Sequence, residues 1–148
     1  MPTKALHIIL VDDDADDLLL FKEVIDELKM RTELTLLNGG QALIDYLEVP
    51  ENSVPDLIFV DLKMPRIDGM ECLKEIRKRP AWANCSVAIY SNFSSETLIE
   101  KTFTEGANIY IEKPEDFIHL KNALQKVLQI NWQYHTSNLN RSNFLFRI

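Results

Sequence analysis

Asp12-Asp13, Asp61, Ser91 and Lys113 each stand at, or within two residues of, the C-terminal end of a short apolar run. Leu6 to Val11 precedes the acidic pair, Leu57 to Val60 precedes Asp61, Val87 to Tyr90 precedes Ser91, and Ile109 to Ile111 leads to Glu112-Lys113. Apolar runs of this length read as strands, and in an open α/β sheet ligands bind outside the carboxyl ends of parallel strands. Three carboxylates, a hydroxyl and an ammonium gathered there suit a divalent cation and a phosphoryl group. A carboxylate cluster without counter-charge is costly, so Mg²⁺, Lys113 or protonation of one acid must offset it. Mg²⁺ fits the oxygen-only donor set, because it takes one or two carboxylates together with waters and phosphate oxygens. Asp61 could then attack phosphorus to form an acyl phosphate, with Ser91 donating a hydrogen bond to one equatorial oxygen and Lys113 pairing with another. Taken singly, each residue has a plainer role: Asp14 suits a helix cap, Ser91 a strand-end hydroxyl and Lys113 an exposed lysine before a proline.

The elements that must hold these residues alternate between strand and helix. Ala15 to Lys29 carries Leu18, Phe21, Val24, Ile25 and Leu28 at helical spacing. Glu33 to Leu37 is a strand that Asn38-Gly39-Gly40 stops, and Gln41 to Glu48 is a short helix. Leu57 to Val60 is apolar throughout, as a strand covered on both faces must be. Helices follow over Met70 to Arg79, Ser95 to Thr104 and Glu115 to Ile130, between strands at Val87 to Tyr90 and Asn108 to Ile111. Five βα units with short connections imply an α/β fold, a doubly wound five-stranded parallel sheet flanked by helices.

Composition narrows the function classes. The chain has 148 residues, 46% hydrophobic and 26% charged, which suits one globular domain. No apolar stretch reaches the ~20 residues that a membrane span requires, and no signal peptide is evident. The net charge of −7 disfavours direct binding to DNA. Cys72 and Cys85 lack metal-ligand spacing, as do His7, His119 and His135, and reduced structural cysteines imply a cytoplasmic protein. The basic cluster Lys74, Arg77, Lys78 and Arg79 ends a helix, where cations complement the dipole.

With these motifs in place, the chain resembles the receiver domain of two-component response regulators, the stand-alone kind in particular. Ile9 to Asp14, Asp56 to Met70 and Ile109 to Pro114 carry the resemblance, and the stretch Asp61-Leu62-Lys63-Met64-Pro65-Arg66-Ile67-Asp68-Gly69 is its most specific part. A finer similarity points to regulators paired with phytochromes. The resemblance implies a flavodoxin-like sheet in the order 2-1-3-4-5 and assigns roles. Asp61 is the phosphoacceptor, and Asp12, Asp13, Asp61 and the Lys63 backbone carbonyl hold Mg²⁺. Ser91 and Lys113 engage the phosphoryl group, Tyr110 is the aromatic switch that follows Ser91 inwards, and the peptide before Pro114 is cis. The implied partners are a sensor histidine kinase or phosphotransfer domain and an unidentified downstream protein, in a phosphorelay. Two other classes stay in view: a receiver-like module independent of phosphorylation, and a haloacid dehalogenase-type hydrolase, whose Asp-x-Asp-x-Thr or Val motif Asp12 to Asp16 does not supply.

Two features depart from the family pattern. Asn92 stands where a small Ala or Gly is usual and Phe93 follows it; with Lys63, Phe93 flanks the expected path of the hydrolytic water and should lengthen the acyl-phosphate lifetime. The receiver spans residues 1–130, and 131–148 form a C-terminal extension. In that extension Asn131 to His135 continue the last helix or pack back onto it, and Phe144, Phe146 and Ile148 alternate with Leu145 and Arg147. A frayed terminus, or an arm docking on this chain, on the mate of a homodimer or on a partner, all fit that pattern.

Overall fold

The computed structural model describes residues 5–93 and 95–129, and the backbone of 145–146. Along the chain run β1 (Leu6–Val11), α1 (Ala15–Glu27), β2 (Thr32–Leu37), α2 (Gly40–Leu47), β3 (Leu57–Val60), α3 (Gly69–Arg77), a 3₁₀ turn (Pro80–Trp82), β4 (Ser86–Ser91), α4 (Glu96–Thr104), β5 (Ile109–Glu112), α5 (Phe117–Leu128) and β6 (Leu145–Phe146). The strands form one parallel sheet ordered β2-β1-β3-β4-β5-β6. Its first five strands follow the expected 2-1-3-4-5 order, and β6 is an addition to it.

The period of two in a strand explains how apolar runs serve both faces. Ile9, Val11, Ile58, Val60, Val87, Ile89 and Tyr110 pack with Leu43, Leu73, Ile76 and Ile99 from α2, α3 and α4. Their neighbours Ile8, Leu10, Leu57, Phe59, Ala88 and Tyr90 pack with Phe21, Val24, Leu120 and Leu124 from α1 and α5. Phe21 meets the edges of Phe59 and Tyr90 at ring separations of 5.0 and 5.8 Å, tying α1 to the centre of the sheet.

Helix ends are set by local chemistry. Asp14, Asp68, Ser95 and Asp116 accept hydrogen bonds from the first-turn amides of α1, α3, α4 and α5. The last cap starts α5 at Phe117 instead of Glu115. The third helix stops at Arg77 and not Arg79, because Pro80 drives the preceding Arg79 into extended backbone (φ −95°, ψ 117°). Arg77 goes beyond the helix-dipole role expected of its cluster. Its guanidinium donates to the carbonyls of Cys85 (2.7 Å) and Gly106 (2.8 and 3.0 Å) and to Asn108 Oδ1 (2.8 Å). These bonds tie α3 to the entrances of β4 and β5. The expectation for Asn131 to His135 lies outside the described residues.

Candidate functional site

β1, β3 and β5 continue their hydrogen bonding past their ends. Asp12 N–H donates to Leu37 O (3.1 Å), Asp61 N–H to Val11 O (3.0 Å) and Lys113 N–H to Ser91 O (2.8 Å). The sheet itself therefore aims these side chains into one crevice at its carboxyl edge. Gly69 closes the loop that follows Asp61: its N–H bonds Leu62 O at 3.0 Å, and a Cβ there would overlap the Asp61 carbonyl.

At the centre is Lys113. Its Nζ lies 2.7 Å from Asp17 Oδ2, 2.9 Å from Asp12 Oδ2 and 3.2 Å from Asp61 Oδ2, so all three ammonium protons find carboxylates. The Tyr90 ring lies beneath it, 5.2 Å from Nζ to centroid. Asp12 and Asp61 are buried, whereas Asp13 is exposed at the rim. Burial raises the Asp12 carboxyl from 3.8 to about 6 against the opposing pull of Lys113, and it raises Asp61 by the same balance. Burial works against the Lys113 ammonium too, but its bonds to Asp17 and Asp12 and the surrounding carboxylates outweigh that and hold its pKa above the usual lysine value.

Carboxylate oxygens of Asp12, Asp13 and Asp61 all lie within 4.8 Å of one another. The remaining oxygens of the buried pair are anchored by backbone: Asp12 Oδ1 accepts from Asp14 N–H (3.0 Å) and Asp61 Oδ1 from Lys63 N–H (3.3 Å). Such a hard-oxygen set, with a single ammonium against its negative charges, fits Mg²⁺. The Lys63 backbone meets Asp61 through its N–H.

The other expected residues lie at different distances from this cluster. Ser91 is buried at the end of β4, and its Oγ accepts from Phe93 N–H at 3.1 Å, so its hydroxyl oxygen faces its own loop. Tyr110 is fully buried under α4 and donates its hydroxyl to the Phe93 carbonyl. Phe93 itself is half exposed, with Lys63 Nζ 5.2 Å above its ring. These two side chains, at the positions singled out in the sequence, therefore meet. The peptide before Pro114 is trans, contrary to expectation, as no peptide bond among the described residues is cis. Trans is the isomer that X–Pro bonds intrinsically favour.

One participant, Asp17, escapes the reading of the sequence. It stands in the first turn of α1, three residues after the Asp14 cap and close to the acidic pair in sequence, a signal that could have brought it in.

A family model described as the response regulator receiver domain matches residues 8–125. The response regulator Rcp1 of Synechocystis is 30% identical over 124 residues, covering 81% of this chain and 84% of that protein. A crystal structure of the phosphorylated cyanobacterial phytochrome response regulator RcpA superposes with a TM-score of 0.78 at 28% identity, over 85% of this chain and 93% of the other. The Mn²⁺-bound form of Rcp1 superposes with a TM-score of 0.76 at 27% identity, over 87% and 95% of the two chains.

Proposed function

The chain belongs to the response regulator receiver domain family, and on that premise we propose how its own residues carry out phosphorelay signalling. Asp61 is the phosphoacceptor. A carboxylate oxygen of Asp61 forms a bond to phosphorus as the bond from phosphorus to a histidine nitrogen of the donor breaks, and the imidazole leaves with that electron pair. The donor is a sensor histidine kinase or a phosphotransfer domain. A magnesium ion held by Asp12, Asp13, Asp61 and the Lys63 carbonyl supplies charge neutralisation for this transfer. Lys113 gives up part of its contact with the carboxylates and pairs with a phosphoryl oxygen. Ser91 turns its hydroxyl from the Phe93 amide towards another, with Tyr110 kept buried behind it. The added phosphoryl charge rewards only this second arrangement and so shifts the population towards it.

The observation that carries the reading is the convergence of Asp12, Asp17 and Asp61 on Lys113 Nζ beside Asp13. One ammonium and four carboxylates so arranged, at the ends of β1, β3 and β5 and the start of α1, suit phosphoryl transfer better than packing. Residues 1–130 form the receiver and 131–148 an extension; a downstream protein, not DNA, reads the face formed by α4, β5 and α5. No described helix is long and apolar enough to cross a membrane. We place the protein in the cytoplasm, in keeping with the buried, unbridged Cys72 and Cys85.

Incubation with acetyl phosphate and Mg²⁺, followed by intact mass, tests this. Gain of one phosphoryl group that requires both Mg²⁺ and Asp61 is expected, with Asp61→Asn as the comparison. No modification leaves a phosphorylation-independent module, and rapid multiple turnover of small phosphoesters points to a hydrolase; either refutes the proposal.

A further inference from the structure

The sheet of this chain continues past β5. Tyr110 lies opposite Leu145 and Ile111 opposite Phe146, in parallel register. The path from β5 through α5 to β6 repeats the strand–helix–strand order of the preceding units, and β6 covers an edge that otherwise presents unpaired N–H and C=O groups. The pairing falls on a residue that also touches the phosphoacceptor side of the molecule. Tyr110 donates its hydroxyl to the Phe93 carbonyl, and the Phe93 amide donates to Ser91 Oγ. Contacts thus run without a break from Ser91 through Phe93 and Tyr110 to the backbone of β6.

Tyr110 has β4 on one side, where it pairs with Ile89, and β6 on the other. A paired strand lies about 4.8 Å away, so Leu145 stands directly beside Tyr110 along the outer edge of β5. Pairing of β6 along that edge fixes the β5 backbone at Tyr110 from its outer side, and with it the buried position of the ring. The turn of Ser91 towards a phosphoryl group, as read above, favours the same position from the other end of the contact chain.

From this we infer that the C-terminal strand is an intramolecular ligand of the β5 edge whose docking and the phosphorylation of Asp61 promote each other. The inference rests on the roles proposed for Asp61, Ser91 and Tyr110. Coupling of this kind is reciprocal: whatever factor the docked strand adds to phosphoryl affinity, the phosphoryl group adds to docking.

The test uses the full-length chain and beryllofluoride as the phosphoryl probe, in Mg²⁺. In the wild type, amide hydrogen exchange at 145 and 146 should slow about fivefold when the probe is added, at the low end of usual allosteric coupling. In the double variant Leu145→Pro/Phe146→Pro, which lacks both strand amides, half-saturation by beryllofluoride should need about fivefold more probe. Unchanged exchange together with equal affinity, while the probe still binds at Asp61, overturns the inference and leaves the phosphoacceptor reading standing. Failure of the wild type to take the probe at all overturns that reading and the inference with it. Protection that appears only as protein concentration rises means that a second copy supplies the strand, and it overturns the intramolecular assignment. The wild-type exchange experiment stands even where the proline variant fails to fold.

Discussion

Replacing Lys113 by Met keeps an apolar stem of similar length and removes the ammonium on which the site is built. The wild-type group is 5% exposed and lies 2.7 to 3.2 Å from three carboxylates. Breaking a buried ionic cluster by deleting one partner costs about 3–5 kcal/mol, because the charges left behind are neither solvated nor paired. A ceiling applies here, since a stranded carboxylate can bind a proton instead. Burial already pushes the Asp12 carboxyl up to about 6 with Lys113 present, and removing the ammonium that opposes this raises it further. At about 1.4 kcal/mol per pH unit, proton uptake holds the loss near pH 7 to about 2–4 kcal/mol.

The pH dependence follows from the direction of the shift. A carboxyl raised by folding contributes its stability in full below its ordinary value of 3.8, and that contribution is lost as pH rises through about 6. In Lys113→Met the loss extends further up the scale. The gap between variant and wild type should therefore be small near about pH 4 and open between about pH 6 and pH 8. Mg²⁺ replaces the missing charge in the folded form alone, worth about 2.7 kcal/mol at a hundred times its dissociation constant, and should narrow the gap. Urea unfolding followed by tryptophan fluorescence, in EDTA and in Mg²⁺, reads all three effects. A deficit below about 1 kcal/mol that ignores pH and Mg²⁺ refutes the argument, because an exposed ion pair behaves that way.

Gly69→Ala should slow phosphorylation by acetyl phosphate about tenfold or more without unfolding the chain, since its Cβ would overlap the Asp61 carbonyl and stand 2.7 Å from Leu62 Cα; an unchanged rate in stopped-flow fluorescence counts against that placement. Phe93→Ala opens the lid that Lys63 helps to hold, and spontaneous loss of the phosphoryl group should quicken about two- to fivefold, the equivalent of a 0.5–1 kcal/mol cation–π contact; equal lifetimes end the idea. Arg77→Met leaves the Cys85 and Gly106 carbonyls without their guanidinium donors and should cost about 3 kcal/mol or more in urea denaturation, against a refuting value under about 1 kcal/mol. Burial pushes the thiols of Cys72 and Cys85 up to about 12, so iodoacetamide near pH 8 should label them only after unfolding, and their contribution to stability should fade as pH rises from about 9 towards 12; prompt labelling of the native protein contradicts this.

What could be read from the sequence was whatever short-range rules decide. The continuous apolar run of β3, the Asp14 cap and the carboxylate after Val60 each follow from a few neighbouring residues, and so does the βα order. Asp17 did not yield to the same logic, because its partner Lys113 is 96 residues away and only the folded sheet brings the start of α1 to the end of β5. The Arg77 network was hidden for a similar reason: helix-end charge explains where an arginine sits, not which carbonyls of other strands it reaches. The period-two pattern near the C-terminus left a frayed end and a docking arm equally open, because the edge that Leu145 and Phe146 pair with depends on the whole sheet being built first. Ser91 was placed correctly at a strand end, while the partner of its oxygen, the Phe93 amide, is set by the turn that follows.

The way each group is held explains why this arrangement can switch. Asp12, Asp61 and Lys113 are fixed by backbone bonds that prolong the sheet ladder, so displacing any of them means breaking sheet structure. Phe93 is held differently, its amide by the Ser91 hydroxyl oxygen and its carbonyl by the Tyr110 hydroxyl. Bonds of that kind contribute about 0.5–1.5 kcal/mol each, within reach of what a new phosphoryl charge can offer. A change in charge at Asp61 therefore meets rigid carboxylates on one side and an easily rearranged loop on the other. Movement must go into the loop, towards Tyr110 and the outer edge of the sheet.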